Sequence, residues 1–277
     1  YGLAARGFAL DNPDTVCANL AGAGVVLNCA GPFTRTALAL ARGCIRAGAH
    51  YLDITGEIDV FESLAALDAQ AARAGVMLLP GAGFDVVPSD CLAAHLKRRL
   101  PDAMHLTLAF QAIGRPSHGT ATTMIENLPR GGRIRRNGAI VAARAEAAAR
   151  RIDFGRGPTP VMPIAWGDVA TAWYSTGIPD IEVCMAAPLP LRLVSGLAAG
   201  LPRLAGSAIV QNALKRLIDA GPAGPDAEQR ARGRSLLWGE ARNAAGRSVR
   251  ARIETLEGYA LTAITAWDIA QRVLRDE

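Results

Sequence analysis

Val25-Val26-Leu27-Asn28-Cys29-Ala30-Gly31-Pro32-Phe33 decides the fold. Five residues, apolar but for Asn28, run into a Gly-Pro turn, and a helical pattern from Thr36 to Ala47 follows. A continuous apolar strand needs cover on both faces, which is the condition of a parallel sheet with crossover helices. The pattern repeats to the right. Tyr51-Leu52-Asp53-Ile54 is followed by Thr55-Gly56-Glu57 and an amphipathic helix over Ile58 to Ala74. Val76-Met77-Leu78-Leu79 is followed by Pro80-Gly81-Ala82-Gly83-Phe84-Asp85 and a helix over Pro88 to Leu100. Gly48 and Gly75 stop the first two helices. To the left, Arg6-Gly7-Phe8-Ala9-Leu10 reads as a short strand, with Asp11 or Asn12 capping a helix that has Pro13 in its first turn.

From about residue 101 the periodicity changes. His105 to Phe110 alternates like a half-exposed strand, and Gly119 to Leu128 is helical. A short strand near Ile140, a Gly- and Pro-rich loop over Gly155 to Pro163 and a strand over Ile181 to Met185 come next. Ser235 to Arg242 and Ser248 to Glu254 form a hairpin across Ala245-Gly246, and Leu261 to Leu274 is a closing amphipathic helix. The expected fold class is α/β: a Rossmann-type parallel sheet, incomplete, with a second α+β domain. The expected boundaries are 1–100 for a partial dinucleotide-binding domain and 101–255 for a substrate or dimerisation domain. A helix over 256–277 packs back on the first domain. Pro222 to Pro225 is the most linker-like spot.

The chain has 277 residues, half of them hydrophobic, enough for one large domain or two smaller ones. Its net charge is +5 and its pI about 9.2. A mild basic excess suits an anionic ligand such as a dinucleotide, and is equally common without one. Cys17, Cys29, Cys44, Cys91 and Cys184 are scattered without a CxxC pair, which predicts reduced, buried thiols and a cytoplasmic protein. His50, His95, His105 and His118 lack metal-ligand spacing, so no metal is expected, and His95 is read as structural. No stretch of about 18 residues is free of charge and proline, so no membrane span is read. No nucleic-acid motif is present. Arg130, Arg133, Arg135 and Arg136 read as a solvated basic loop; the sharper alternative is docking of a phosphopantetheine carrier or coenzyme A. Leu189 to Leu217 is apolar and punctuated by Arg192, Arg203 and Lys215. It reads as a packed helix pair, with a lid over a greasy substrate or peripheral membrane contact as alternatives.

Three glycine-containing loops follow three buried strands, and in an open parallel sheet such strand ends share one edge, where ligands bind. Each loop alone is equally well explained as a tight strand-to-helix turn. Three in succession favour a site. Asp53, Glu57, Asp85 and Thr55 converge on that edge, and the helix starting near Val86 to Ser89 aims its amides there.

Three segments carry a resemblance that covers nearly the whole chain. They are Val26 to Phe33, His50-Tyr51-Leu52-Asp53-Ile54-Thr55-Gly56-Glu57, and Leu79 to Asp90. In order and spacing they look like the signature segments of saccharopine dehydrogenase-like oxidoreductases. Gly119-Thr120-Ala121-Thr122-Thr123 and Glu257-Gly258-Tyr259-Ala260-Leu261-Thr262-Ala263 are similar to further family segments. The bacterial branch that includes trans-acting enoyl reductases, which act on lipid-linked substrates, is the most similar. The resemblance implies NADP or NAD as cofactor and the strand order 3-2-1-4-5-6. Arg6, Val25, Tyr51 and Val76 then mark strands three to six. Strands one and two, the glycine fingerprint for the pyrophosphate and the residue that separates NAD from NADP are not in this chain. With Tyr1 in place of Met, that reads as an N-terminally truncated fragment, inactive alone.

The candidate cofactor-lining residues are Asp11, Asn28, Ala30, Gly31, Pro32, Phe33, Asp53, Thr55, Gly56, Gly81, Gly83 and Phe84. The proton-transfer candidates are Asp85, Glu57 and Tyr51, with Asp53 beside them. The function expected is NAD(P)-dependent oxidation–reduction of a small, hydrophobic or carrier-linked substrate, enoyl reductase-like, with a homodimer left open. The alternatives are a catalytically incomplete or scaffold member of the family and, more weakly, an enzyme that makes saccharopine itself.

Overall fold

The computed structural model describes residues 4–112, 117–127, 132–143, 150–187, 207–221 and 224–275. It divides into two compact units, one of residues 1–87 with 261–277 and one of residues 88–260.

The first unit is built on three parallel strands: β1 (Val25–Asn28), β2 (His50–Asp53) and β3 (Leu78–Leu79), side by side in that order. The register pairs Val25 with His50 and Asn28 with Asp53, so both strands end level at the same edge. Among the described residues, β1 pairs only with β2. α1 (Pro13–Leu20) and α2 (Phe33–Ala47) cover one face with α3 (Ile58–Ala65) and α4 (Asp68–Ala74). Val16, Ala41, Cys44, Tyr51 and Leu64 form the core there. On a second core, Ala266 and Ala270 of the closing helix meet Leu52 and Ala82.

Several readings need correction. Arg6 to Leu10 takes up no regular structure. Phe8 and Leu10 pack against the core, but among the described residues no neighbouring strand offers hydrogen bonds, and a strand without a partner is not stable. Ile58 to Ala74 is two helices rather than one, broken at Ala66-Leu67, where the chain closes tightly (Leu67 N–H donates to Leu64 O at 2.9 Å) and buries Leu67 in the core. β3 keeps only two residues of the apolar run at Val76.

The second unit holds an eight-stranded mixed sheet. Its strands are β4 (Ala103–Ala112), β5 (Arg133–Arg136), β6 (Ala139–Ala142), β7 (Arg151–Asp153), β8 (Pro158–Pro163), β9 (Asp180–Ala186), β10 (Arg234–Asn243) and β11 (Ser248–Leu256). The main path runs β11-β10-β4-β9-β5-β6, with β8 paired to β9 and β7 to β8. Its helices are α5 (Val87–Arg99), α6 (His118–Asn127), α7 (Asp168–Thr176), α8 (Ala208–Asp219) and α9 (Ala227–Arg232); the closing helix, α10 (Gly258–Leu274), lies mostly in the first unit. α5 presses on β10 at Gly239, where an added Cβ would lie 2.7 Å from Leu96 Cδ1.

Two thirds of the expected Gly155–Pro163 loop is strand β8, paired with β9 through Val161 and Ala186. The basic run is not a solvated loop either. Arg133 to Arg136 is β5, and Arg135 is 4% exposed. Its guanidinium donates to Val169 O at 2.9 Å and Gly138 O at 2.7 Å and lies over the Trp173 ring. A run of arginines hides one buried member because alternate strand residues face opposite sides. Arg130 lies outside the described residues, as do 188–206 of the apolar stretch and residues 222–223 of the linker-like spot. Only Cys44 and Cys184 are buried; Cys29 and Cys91 are exposed and Cys17 intermediate, and all five are free. His95 is an exposed residue of α5.

Candidate functional site

The level ends of β1 and β2 place Asn28 and Asp53 as register partners, and the three loops that follow are tied by one chain of hydrogen bonds. Thr36 Oγ1 donates to Ala30 O at 2.7 Å. Asn28, 3% exposed, donates through Nδ2 to Thr36 Oγ1 and to the Tyr51 hydroxyl, each at 3.1 Å, and accepts Ala30 N–H on Oδ1 at 3.0 Å. Tyr51 donates to Asp53 Oδ2 at 2.8 Å. Asp53 Oδ1 accepts the N–H groups of Thr55 at 3.0 Å and Gly81 at 2.9 Å. Every polar atom on this path has a partner, as buried polar atoms require.

Burial raises the Asp53 carboxyl above its ordinary value, against the pull of the Thr55 and Gly81 amides and the Tyr51 hydroxyl. Burial, then Asp53, pushes the Tyr51 phenol well above its usual range. Tyr51 and Asp53 are therefore the clasp of the three loops, the proton of one held by the other. Cys29, at the end of β1, is raised by burial and by Asp53.

Glu57 closes the second and first loops together. Its Oε1 accepts Phe33 N–H at 2.9 Å and its Oε2 accepts Thr34 N–H at 3.2 Å, while its own N–H donates to Thr55 Oγ1 at 3.1 Å. A carboxylate thus sits on the first amides of α2, where the helix dipole favours negative charge. That long-range cap is why α2 begins at Phe33 and not, as the sequence pattern suggests, at Thr36.

Asp85 is the carboxylate left over. It is half-buried, and among the described residues its side chain makes no hydrogen bond. Burial pushes its carboxyl up to about 7. It lies against Gly56, where a Cβ would collide with the carboxylate itself. The loop that carries it is fastened to α10: Phe84 N–H donates to Thr262 Oγ1 at 2.9 Å, and Thr265 Oγ1 donates to Ala82 O at 2.7 Å.

The structure thus brings Asn28, Ala30, Phe33, Asp53, Thr55, Glu57 and Gly81 into one bonded network, with Gly56 and Asp85 in contact beside it and Gly83 and Phe84 anchored on α10. Gly31 and Pro32 are the exposed tip of the first loop. Asp11 is exposed before α1 and bonded to none of the three loops among the described residues; the cap of α1 is Asn12. Sequence reasoning missed Thr36, Thr262 and Thr265. Thr262 falls in a segment singled out for its resemblance; Thr36 and Thr265 carry no local signal.

Residues 3–79 match the saccharopine dehydrogenase NADP-binding domain. Over that stretch the chain resembles the saccharopine dehydrogenase-like family. NAD(P) is the cofactor that goes with this domain. A trans-acting enoyl reductase of Mycobacterium ulcerans is 41% identical over 76 residues, 27% of this chain and 18% of that protein. One of Mycobacterium tuberculosis is 41% identical over 88 residues, 31% of this chain and 21% of its own length. The matched stretch is therefore about a fifth of the curated relatives it resembles. Among solved structures, apo saccharopine dehydrogenase (L-Glu forming) from Saccharomyces cerevisiae superposes with a TM-score of 0.56 at 12% identity, over 97% of this chain and 80% of that one. At that identity the likeness is one of fold: a unit with a parallel sheet and a mixed α+β unit. Among the described residues, no helix is long and apolar enough to cross a membrane.

Proposed function

We propose that this saccharopine dehydrogenase-like chain is the core of an NAD(P)-dependent oxidoreductase acting on a hydrophobic or carrier-linked acyl substrate, as an enoyl reductase does. The observation that carries the reading is the network that fixes three strand-end loops around a half-buried carboxylic acid. The first unit serves the cofactor and the second the substrate or a dimer contact.

The residues fit one part of the cofactor better than another. Glu57 already fills the N-terminus of α2, so a phosphate has no place there. The exposed backbone of Ala30, Gly31 and Pro32, with Phe33, suits an uncharged face of the cofactor instead, with Thr55, Gly56, Gly81, Gly83 and Phe84 behind. No Gly-x-Gly-x-x-Gly run occurs in the 277 residues, so the pyrophosphate contacts are not among them. When bound, the nicotinamide supplies a hydride. Asp85 supplies the proton: a carboxyl at about 7 is part protonated near neutral pH and can give it up. Asn28, Tyr51, Asp53 and Glu57 hold the loops in register.

The test is NADPH oxidation with trans-2-decenoyl-coenzyme A, using the 277-residue chain and a form extended upstream of Tyr1. Turnover that appears with the extension, and falls about 100-fold or more in Asp85→Asn, supports the reading. An extended form with full turnover in Asp85→Asn removes Asp85 from it. A second reading rests on the lack of a Gly-x-Gly-x-x-Gly run: a catalytically incomplete binding or scaffold form. NADPH binding by the extended form, measured by calorimetry, separates the two; the 277 residues alone are weak binders on either reading. Loss of several charge-assisted hydrogen bonds, about 1.5–3 kcal/mol each, predicts little or no binding by them.

A further inference from the structure

Two segments singled out in the sequence but idle so far, Gly119 to Thr123 and Glu257 to Ala263, meet in the second unit. Glu257, 6% exposed, accepts the N–H groups of Tyr259 and Ala260 on Oε2, each at 3.0 Å, and so caps α10 and fixes the direction of Tyr259. The Tyr259 hydroxyl receives Ser117 N–H at 2.6 Å and lies 2.9 Å from Thr120 Oγ1. Ser117 Oγ accepts Thr120 N–H and donates to Thr120 Oγ1, both at 3.2 Å.

The protons can be counted along this path. Ser117 gives its hydroxyl proton to Thr120, which leaves the Thr120 proton to go to Tyr259. A phenol oxygen accepts twice and donates once. Ser117 N–H and Thr120 O–H fill both acceptor positions. The remaining Tyr259 proton then has no protein acceptor on this path, and Tyr259 lines a cavity of about 590 Å³ with Ser117, Gly224, Pro225, Asp226 and Arg230. The rest of the cavity's lining is held in place by its own bonds. Arg230 donates to Pro225 O at 2.6 Å, and Asp226 accepts Gln229 N–H at 2.8 Å as the cap of α9. Gly224 comes so near that a Cβ there would lie 3.3 Å from Ser117 Cα.

We propose that Tyr259 is a substrate-binding residue whose hydroxyl donates a hydrogen bond to the carbonyl oxygen of an acyl thioester in this cavity. The ligand class rests on the acyl-reductase reading above; the donor geometry does not. A carbonyl is the neutral acceptor such a substrate offers, and a donor aimed at it polarises the conjugated double bond that hydride addition needs.

The experiment uses no nicotinamide, so its outcome is independent of whether the chain reduces anything. Binding of decanoyl-coenzyme A and of its thioether analogue, S-decyl-coenzyme A, is measured by calorimetry on the 277-residue chain and on Tyr259→Phe and Thr120→Val. The expected result is a thioester preference in the parent that falls about three- to tenfold in Tyr259→Phe, with thioether binding unchanged. Thr120→Val should show no gain. A gain there overturns the proposal, because it means that Tyr259 had been donating to Thr120. An unaltered preference in Tyr259→Phe, or no binding of either probe by the parent, also overturns it. Loss of both probes together assigns the ring a packing role and overturns the hydroxyl's.

Discussion

Glu57 Oε1 accepts the backbone N–H of Phe33 at 2.9 Å across 24 residues of sequence. The bond joins the loop after β2 to the helix after β1, and Oε2 takes Thr34 N–H beside it. Glu57→Ala leaves two amides of the first turn of α2 without their acceptor and removes a favourable charge from the dipole. The expected cost is about 1–2 kcal/mol in urea unfolding, with Glu57→Gln losing less. Helix α2 should then start later, and slower-exchanging amides should begin beyond Thr34. Equal stabilities of the parent and Glu57→Ala would show that water serves these amides as well.

Asp85 predicts a pH signature. Its folded-state carboxyl is raised from 3.8 to about 7. The stability that accompanies the protonated form is complete below about pH 4 and is lost as pH rises through 7. Three pH units correspond to about 4 kcal/mol at most, and partial exposure reduces this to about 1–2 kcal/mol. Asp85→Asn cannot ionise. Its melting temperature should match the parent's at pH 4, exceed it increasingly from pH 4 to pH 7, and level off above that. A constant difference across that range would place the carboxyl near its ordinary value.

Gly56 supports the same acid by its lack of a side chain, because a Cβ would collide with the Asp85 carboxylate. Gly56→Ala should therefore displace Asp85. Reductase turnover of the extended form should fall with it, and the pH-dependence of stability should flatten as the carboxyl moves toward solvent. A substitution that leaves both unchanged would mean that the loop yields without moving Asp85.

These residues mark how far the sequence could be read. The strand–loop–helix rhythm from Val25 to Leu100 was legible because buried parallel strands are continuous apolar runs and their helices end in glycine. The three loops were legible as a group because parallel strands end on one edge. Thr36, Thr262 and the Glu57 cap were not, since each joins residues distant in sequence through a hydrogen bond with no periodicity. Arg135 was misread because four arginines in seven residues look solvated, while strand alternation turns one inward. Pro158 to Pro163 was misread because prolines usually break strands; here Val161 carries the pairing.

Tyr51→Phe separates the clasp from the acid. It removes the one side-chain donor to Asp53, buried at 0% exposure, and leaves Asn28 with one acceptor fewer. The expected loss is about 1–3 kcal/mol. The Asp53 carboxyl should rise further, since a hydrogen bond that lowers it is gone. The destabilisation should therefore be larger at high pH than at low pH. A pH-independent loss would show that Asp53 takes a water in place of the hydroxyl.

The open edge of β1 makes the last prediction. Among the described residues, Val25 to Asn28 bond only to β2, and Arg6 to Leu10 lie in irregular structure nearby in sequence. A short apolar strand with a free edge is a template for another strand. The 277-residue chain should associate as its concentration rises, and deuterium exchange over residues 24–29 should slow in step with association. Exchange over Arg6 to Leu10 should stay fast, because no ladder holds those amides. A chain that sediments as a monomer at all concentrations, with slow exchange at Arg6 to Leu10, would show that this segment pairs with β1 in solution and closes the edge itself.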